Sequence, residues 1–437
     1  MTMMAIFDRL MNALQSRTIV AIVVVIAIAV AVALKFHLFA LLVRSRWLPE
    51  VLAGVVMIVI FALIFWGIPW FREWRFMRAY GSTARADSVE SPQEARAKFV
   101  HAIRRLRELP QLAHSPDAIH ALPWYLMLGG CGSGKTAALA AAGLFTPHTQ
   151  PPTEGGTANC DWWVSNTMVV LDTAGRFAIP AEPARDRAEW YRLLRLVKHY
   201  RVRESLHGII VTVAASQLAS DSGEKLRSDG SVIRERIEEA VRELAVIFPV
   251  YLLVTKCDLI EGFTEFFGAM PQRVLGEAVG YVEEQFRTGD AGETSIEPMP
   301  RLQTGLRSIF ERLHLIRLAL LNSNVPDALR EPIFCFLEEV RVLEQPLRAF
   351  AAPLVSEDVV YHTPLFRGVF FASARREGTP ASLLRRQFGV AAGAEVPPDS
   401  KLQQPYFLHD LFTTILPRDR ALCSSARPKR KSRNPIL

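Results

Sequence analysis

Hydrophobic residues form two long uninterrupted runs near the N-terminus of the chain and only short runs after them. Thr18–Leu34 and Val51–Phe71 contain no charged side chain, and each run is long enough to cross the apolar core of a bilayer as a helix. A cleaved signal peptide is the alternative for the first run, but no small-residue cleavage site follows it and a second run comes soon after. The pattern predicts a two-helix transmembrane hairpin within residues 1–80, with spans at 18–34 and 51–71.

Beyond the hairpin, the pattern becomes helical over a linker at 81–122. Ser91-Pro92-Gln93-Glu94 has the form of a capping box with proline at the first helical position, and it predicts a helix that continues to Leu109. The arginine-rich face of this helix is interpreted as solvated or lipid-facing and not as a dedicated binding patch.

From Pro123 onward, short apolar runs alternate with helical patterns, which is typical of a parallel sheet with crossover helices. The predicted strands are Trp124–Leu128, Met168–Leu171, Gly208–Val213, Val250–Val254 and Phe366–Phe371. The predicted helices include Lys135–Leu144, Ala188–Tyr200 and Ser231–Ile247. Long amphipathic stretches without strand signals lie between Phe263 and Val359, so we expect a helical insertion before the last strand.

Charge and cysteine content indicate which ligands and which cellular compartment to expect. The net charge is +7, but the arginines are scattered and anionic lipid accounts for those beside the spans, so nucleic-acid binding is not expected. Five cysteines without metal-ligand spacing indicate a reducing compartment. More basic residues flank the hairpin than lie between its spans, which favours a multi-pass inner-membrane protein with both ends and the bulk of the chain in the cytoplasm.

A glycine-rich loop follows the first predicted strand and opens a predicted helix. It matches G-x-x-x-x-G-K-[ST], a pattern that lets backbone N–H groups converge on a phosphate. The alternative interpretation is a flexible turn without a binding role. Lys135 is predicted to neutralise the outer phosphates, and Thr136 to bind Mg²⁺. The predicted phosphate cradle is Gly129, Gly130, Cys131, Gly132, Ser133, Gly134, Lys135 and Thr136.

Three further residues are candidates for the metal and the γ-phosphate. Asp172 ends an apolar strand in "MVVLDTAGRF", where a carboxylate can join the metal shell, and Gly175 can offer its N–H to the γ-phosphate. Alone, Asp-x-x-Gly is a common turn. Thr157 can either reach Mg²⁺ or cap a turn, and the sequence leaves both readings open.

The stretch "VYLLVTKCDL" predicts base recognition at the end of a third strand. The Asp258 carboxylate can accept hydrogen bonds from both N1–H and the exocyclic amine of guanine, whereas adenine offers no matching pair of donors. Thr255 and Lys256 belong to the same motif, and the lysine stem can cover the base plane. Ser373 is a candidate for the loop beneath the base. The alternative is a strand end that binds no ligand.

The residue at position 176 affects how fast a bound nucleotide can be hydrolysed. Small GTPases usually carry there the glutamine that orients the attacking water, whereas this chain has Arg176. Any hydrolysis of GTP, or of ATP as the alternative nucleotide, is therefore expected to be slow, absent or dependent on a partner.

Together these motifs resemble the IcmF/TssM family of type VI secretion inner-membrane components. The resemblance is carried by PWYLMLGGCGSGKTAAL, GGTANCDWWV, VVLDTAGRF, VYLLVTKCDLIEGFTEFF, FRGVFFASARREGTP and YFLHDLF, between Pro123 and Phe412. It implies an α/β fold, with a P-loop NTPase-like parallel sheet at 123–261 and 360–392, a helical insertion at 262–359 and a C-terminal extension with a basic tail at 393–437. The transmembrane hairpin precedes this domain.

The resemblance also implies partners. A DotU/TssL-type inner-membrane protein, other secretion core and baseplate components, and membrane lipids are expected. Typical family members are longer, with a further span and a periplasmic portion that contacts a TssJ-type lipoprotein. Since this chain ends in ALCSSARPKRKSRNPIL, that contact is not expected. We interpret the chain as a truncated gene product, or as the result of a frame change near Leu416 to Ala421, in preference to a complete short variant.

Three functions compete at this point. The first is a secretion subunit whose nucleotide domain regulates assembly or conformation. The second is a freestanding membrane-tethered GTPase, and the third is a scaffold with a vestigial nucleotide pocket. Arg176 and the resemblance favour the first, and the intact glycine loop and base motif argue against the third.

Overall fold

The computed structural model describes residues 57, 92–109, 112, 117–147, 157–268, 270–283, 298–356, 365–374, 379–387 and 405–425. The chain divides into two compact units, Met1–Ala79 and Tyr80–Leu437, and every described residue except Met57 belongs to the second unit. Apart from Met57, the predicted spans at 18–34 and 51–71 lie outside the described residues. Within the described ranges, no helix combines the length and the apolar composition that crossing a bilayer requires.

A mixed sheet forms the centre of the second unit. The strands are β1 Trp124–Leu128, β2 Thr146–Pro147, β3 Cys160–Val164, β4 Val169–Thr173, β5 Gly208–Ala214, β6 Val246–Ile247, β7 Pro249–Thr255, β8 Val279–Val282, β9 Leu365–Phe371 and β10 Ser424–Ser425. Eight of them form one sheet in the order β2-β3-β4-β1-β5-β7-β9-β8. The central strands β4, β1, β5, β7 and β9 are parallel and lie where the apolar runs predict them.

Antiparallel strands at both edges of this sheet were not anticipated. β3 pairs with β4 and β2 with β3 at one edge, and β8 pairs with β9 at the other. The prediction that no strand lies between Phe263 and Val359 is therefore wrong at Val279–Val282. This strand has only four half-buried residues, and its partner follows the whole helical insertion, so tertiary pairing and not local periodicity decides its conformation.

Helices cover the sheet and build the insertion. They are α1 Pro92–Glu108, α2 Ala118–Ala121, α3 Lys135–Ala141, α4 Gly175–Ala178, α5 Pro183–Tyr200, α6 Ala215–Ser220, α7 Gly223–Leu244, α8 Phe263–Gly268, α9 Gln272–Gly276, α10 Pro298–Asn322, α11 Asp327–Val342, α12 Glu344–Val355, α13 Leu383–Gln387 and α14 Leu416–Arg418. Short 3₁₀ turns at Cys257–Leu259 and Asp419–Leu422 and a π-helical turn at Leu411–Ile415 complete the regular structure of the described ranges.

Helix α7 begins at Gly223, well before the predicted start at Ser231. Its N-terminus is capped by Ser222, whose Oγ accepts a hydrogen bond from the Lys225 N–H at 3.2 Å. Gly230 lies inside the helix, and a Cβ atom there would lie 2.2 Å from the carbonyl oxygen of Phe350 in α12. This glycine therefore permits close packing of two helices and does not mark a boundary.

Residues 405–425, which the sequence assigns to the C-terminal extension, pack against the sheet. Leu408, Leu411, Phe412 and Leu416 belong to the same buried cluster as residues of β1, β5 and β7. A buried ion pair reinforces the contact, because Arg367 Nε donates to Asp419 Oδ2 at 2.6 Å and Nη2 donates to Oδ1 at 3.0 Å. The sheet domain thus includes side chains from this segment.

Candidate functional site

The glycine-rich loop connects β1 to α3 at the C-terminal edge of the parallel strands. Gly132 and Gly134 have φ angles of +72° and +78°, which side chains with a Cβ rarely adopt. At Gly129 a Cβ would lie 2.1 Å from Thr212 Oγ1, so any larger residue would collide with β5. The loop conformation therefore requires glycine at these positions.

Two hydroxyl groups anchor this loop to neighbouring strands. Ser133 Oγ and Thr212 Oγ1 are 2.9 Å apart, and Thr255 Oγ1 donates to the Ser133 carbonyl oxygen at 2.6 Å. Sequence reasoning grouped Thr255 with base recognition and missed Thr212 entirely. The signal for Thr212 was its place as the one polar residue in the apolar strand GIIVTVA.

Lys135 lies inside the curve of the loop and is only 6% exposed. Its Nζ donates to the carbonyl oxygens of Gly129 at 2.7 Å and Gly130 at 3.1 Å, and it lies 3.5 Å from Ser133 Oγ. Burial lowers the pKa of this ammonium, and the nearby Asp172 carboxylate acts in the opposite direction. The cation is thus held at the centre of the cradle, where it can meet a phosphate.

The three residues predicted to bind metal lie together beside Lys135. Asp172 Oδ2 accepts hydrogen bonds from Thr136 Oγ1 at 2.5 Å and from Thr157 Oγ1 at 3.1 Å, and the two hydroxyl oxygens are 3.4 Å apart. Residues distant in sequence therefore form one cluster of oxygen atoms, which is the donor type that Mg²⁺ prefers.

Asp172 has an incomplete set of hydrogen bonds. Its Oδ1 atom is buried and has no hydrogen-bond partner among the described residues, and an unsatisfied buried carboxylate oxygen is costly. Among the described residues, no three or more His, Cys, Asp or Glu side chains are grouped so that they could hold a metal ion. A site with one carboxylate and two hydroxyls fits a magnesium ion that takes its other ligands from phosphate and water.

Gly175 lies directly against the cradle at the start of α4. A Cβ atom at this position would be 2.4 Å from the backbone nitrogen of Cys131 and 2.6 Å from its Sγ. The exposed Cys131 and Gly175 therefore bring the loop and the turn after β4 together, and this is the position from which the Gly175 N–H was predicted to meet a γ-phosphate.

Three of the predicted base-recognition residues, Thr255, Lys256 and Asp258, line a cleft next to α3. Lys256 has a φ of +56° and precedes the 3₁₀ turn that contains Asp258, which is 4% exposed. Ser373 Oγ donates a hydrogen bond to Asp258 Oδ1. The cleft is lined by Gly134, Ala137, Ala138, Thr255, Lys256, Asp258, Ala372, Ala374 and Leu408.

Leu408 is a lining residue that sequence reasoning did not name. The motif YFLHDLF that contains it was recognised without a role. In the structure, Tyr406 pairs with Ser373 through two backbone hydrogen bonds of 2.9 and 3.2 Å, which brings this segment beside the cleft.

Comparison with known proteins assigns the family. The sequence model described as IcmF-related N-terminal domain matches residues 183–437, more than half of the chain. The chain belongs to the IcmF-related family. The matched range includes Lys256, Asp258 and β9, while the glycine-rich loop precedes it.

This IcmF-related chain is also similar to a curated protein of Pseudomonas aeruginosa, the type VI secretion system component TssM1. The two are 29% identical over 329 residues, which is 73% of this chain. The chain spans about 29% of the length of that relative.

Two solved structures resemble it more distantly. One is the signal recognition particle receptor SRb-GTP/SRX complex from Chaetomium thermophilum, with 16% identity, a TM-score of 0.24, and coverage of 63% of this chain and 99% of that chain. The other is an S. thermophilus NFeoB variant bound to GDP, with 12% identity, a TM-score of 0.22, and coverage of 54% and 100%. At these scores neither carries weight for fold or function.

Arg176 does not extend towards the phosphate loop in this IcmF-related protein. Its guanidinium donates hydrogen bonds to the Ala158 carbonyl oxygen and to Asn159 Oδ1, and it pairs with Glu189 and Asp186 of α5. The guanidinium carbon also lies 4.9 Å from the centre of the Phe177 ring. The side chain at the usual water-orienting position is therefore engaged elsewhere.

Substitution of Asp172 by asparagine should change how the stability of the protein depends on pH. Burial raises the pKa of Asp172 from 3.8 to about 6, so its ionised form is disfavoured in the folded chain. As the pH rises from about 4 to about 7, the wild type should lose stability relative to Asp172→Asn, on the order of 1–3 kcal/mol. Thermal unfolding of both ligand-free proteins at the two pH values measures this difference.

The matched control for this prediction is Asp327→Asn, which alters a fully exposed aspartate on α11. That variant should follow the wild type at both pH values. Identical pH dependence of wild type and Asp172→Asn would contradict a raised pKa at this position.

Proposed function

We propose that this chain is an inner-membrane subunit of a type VI secretion complex and that its nucleotide-binding domain regulates assembly or conformation. The observation that carries the nucleotide part is the cluster of Thr136, Thr157 and Asp172 oxygens beside Lys135 in a glycine cradle. The secretion part is supported by membership of the IcmF-related family and by similarity to a protein named as a secretion component.

The proposed ligand is GTP with Mg²⁺, and ATP is the alternative. The Asp258 carboxylate lines the cleft and accepts a hydrogen bond from Ser373. A carboxylate can accept two hydrogen bonds from guanine, whereas adenine offers no such pair of donors. Because Arg176 is paired with Asp186 and Glu189, we expect slow hydrolysis or hydrolysis that depends on a residue from a partner.

Nucleotide titration of the purified full-length chain in detergent, with turnover measured in the same samples, tests this proposal. A regulatory subunit should bind GTP with Mg²⁺ and show slow turnover that a partner accelerates. A freestanding GTPase would cycle without a partner, and a scaffold with a vestigial pocket would bind neither GTP nor ATP.

We further propose the membrane arrangement that the hydrophobic runs predict, with a hairpin at 1–80 and the linker, sheet domain and insertion in the cytoplasm. The proposed partners are a DotU/TssL-type inner-membrane protein, other core and baseplate components, and lipids, without nucleic acid. Cytosolic nucleotide and the free thiols of Cys131 and Cys257 suit this side of the membrane.

Cysteine labelling in intact spheroplasts tests the topology. On a cysteine-free background, a cysteine introduced at Ser45, between the two proposed spans, should react with an impermeant maleimide. A cysteine introduced at Ser88 should stay unlabelled until the cells are lysed, because both chain ends face the cytoplasm. Labelling at Ser88 in intact spheroplasts would contradict both the hairpin and the cytoplasmic nucleotide site.

A further inference from the structure

Arg176 links three separate segments around the candidate metal site. Its guanidinium donates to the Ala158 carbonyl oxygen and to Asn159 Oδ1, which directly follow Thr157. Its Nη2 atom also donates to Glu189 Oε2 at 2.5 Å, and its Nε lies 3.2 Å from Asp186 Oδ1. One side chain on α4 therefore connects residues 157–159 to α5.

The acidic anchor on α5 is itself fixed. Asp186 and Glu189 are 2% and 5% exposed, and Asp186 Oδ2 accepts the Glu182 N–H at 2.9 Å. Arg185 also lies 3.6 Å from Glu189 Oε1. Planar arginine can hold several acceptors at once in a fixed geometry, which a lysine cannot do.

The segment that Arg176 holds carries one of the three metal-site oxygens. Thr157 Oγ1 is 3.1 Å from Asp172 Oδ2, and the Ala174 N–H donates to the Asn159 carbonyl oxygen at 2.8 Å. Residues 157–159 precede β3 and belong to no helix or strand. Side-chain contacts from Arg176 therefore add to a backbone bond in keeping Thr157 beside Asp172.

We propose that Arg176 is a positioning residue for the metal-bound nucleotide, because it holds Thr157 where its hydroxyl can join the magnesium shell with Thr136 and Asp172. This inference rests on the proposed nucleotide-binding function. Arg176 is not assigned a catalytic role, since its polar contacts in the described ranges all go to residues 158–159 and to α5.

The test is a titration of the full-length chain with GTP in Mg²⁺ and, separately, in EDTA. Arg176→Ala should reduce the gain in GTP affinity that Mg²⁺ provides by about tenfold or more, the usual effect of removing a group that orients a metal ligand. The affinity in EDTA should stay unchanged, because the polar contacts of Arg176 among the described residues go to residues 158–159 and α5 and not to the glycine loop or Lys135. Arg176→Lys should not restore the gain.

A double-mutant cycle separates this role from general stabilisation. Thr157→Ala should show the same loss, and Arg176→Ala combined with Thr157→Ala should lose little more than either alone. Arg187→Ala is the matched control, since Arg187 lies on the same helix but pairs with Glu235 and Glu239 of α7, and it should leave both affinities unchanged. Additive losses in the cycle would overturn the inference.

A second measurement does not depend on nucleotide. Hydrogen exchange at the backbone amides of 157–164 in the ligand-free chain should become faster in Arg176→Ala and stay unchanged in Arg187→Ala. Should Arg176→Ala not fold, Asn159→Ala removes one acceptor of the guanidinium and should give part of the same loss of Mg²⁺-dependent affinity.

The outcomes distinguish the two proposals. Wild-type chain that binds no nucleotide in Mg²⁺ or EDTA would overturn the proposed function, and the inference with it. Normal Mg²⁺-dependent GTP binding by both the wild type and Arg176→Ala would overturn the role of Arg176 alone. Equal losses in Mg²⁺ and EDTA for Arg176→Ala would do the same, because they indicate a structural role.

Discussion

Lys135→Ala is expected to weaken binding of GTP by at least about a hundredfold. The Lys135 ammonium lies inside the glycine cradle, where its Nζ is 2.7 and 3.1 Å from two loop carbonyl oxygens, and a triphosphate would meet it there. Hydrogen bonds to charged groups contribute about 1.5–3 kcal/mol each, and tenfold in affinity corresponds to about 1.4 kcal/mol. Two such contacts account for the expected loss, which calorimetry measures.

The control for this variant is Lys225→Ala. Lys225 is an exposed lysine in the first turn of α7, and it pairs with Asp221, which precedes that helix. It should bind GTP as the wild type does. Circular dichroism of Lys135→Ala should be unchanged, since we propose that the lysine contacts the ligand and not the hydrophobic core. An unfolded Lys135→Ala would instead assign a structural role to its bonds with Gly129 and Gly130.

Asp258→Asn should change which base the protein prefers. A carboxylate accepts from the N1–H and the exocyclic amine of guanine, whereas an amide presents one donor and one acceptor. Xanthine carries N1–H beside a carbonyl, so it matches the amide. We expect GTP affinity to fall at least tenfold, since a buried charged hydrogen bond contributes about 1.5–3 kcal/mol, and affinity for XTP to rise.

Asp258→Ala should lose GTP affinity at least tenfold without gaining affinity for XTP. This variant therefore distinguishes a change of base preference from a general loss of nucleotide affinity. Ser373→Ala, which removes the hydroxyl that donates to Asp258 Oδ1, should give a smaller loss because the carboxylate remains. Competition titrations with GTP, ATP and XTP measure all three variants. Equal binding of ATP and GTP by the wild type would refute guanine recognition.

Much of the site was predictable because its parts are local motifs at strand ends. The loop at 129–136 needs glycine for its φ angles and for the approach of Thr212, and this need is visible as composition. Asp172 and Asp258 each follow an apolar strand. Parallel strands of one sheet end at the same edge, so motifs that are distant in sequence were expected to meet there.

Long-range pairing was not predictable from the same patterns. The strand Val279–Val282 is short and half-buried, and its partner among the described strands is β9. Asp419 lies in a segment that resembles a polar tail, yet it forms a buried ion pair with Arg367. Such contacts leave no local period, because the two partners are close only after the chain has folded.

Arg176 shows most clearly the difference between what the sequence determines and what the tertiary structure determines. The residue type alone determined that no glutamine is available at this position to orient water, since that statement depends only on side-chain chemistry. Where the guanidinium goes was decided by the packing of α4 against α5, which places Asp186 and Glu189 within reach, and by the path of residues 157–159. Local sequence determines which groups are present and how the backbone bends at glycines. Tertiary structure determines which of those groups meet, because burial and pairing depend on segments that the sequence separates.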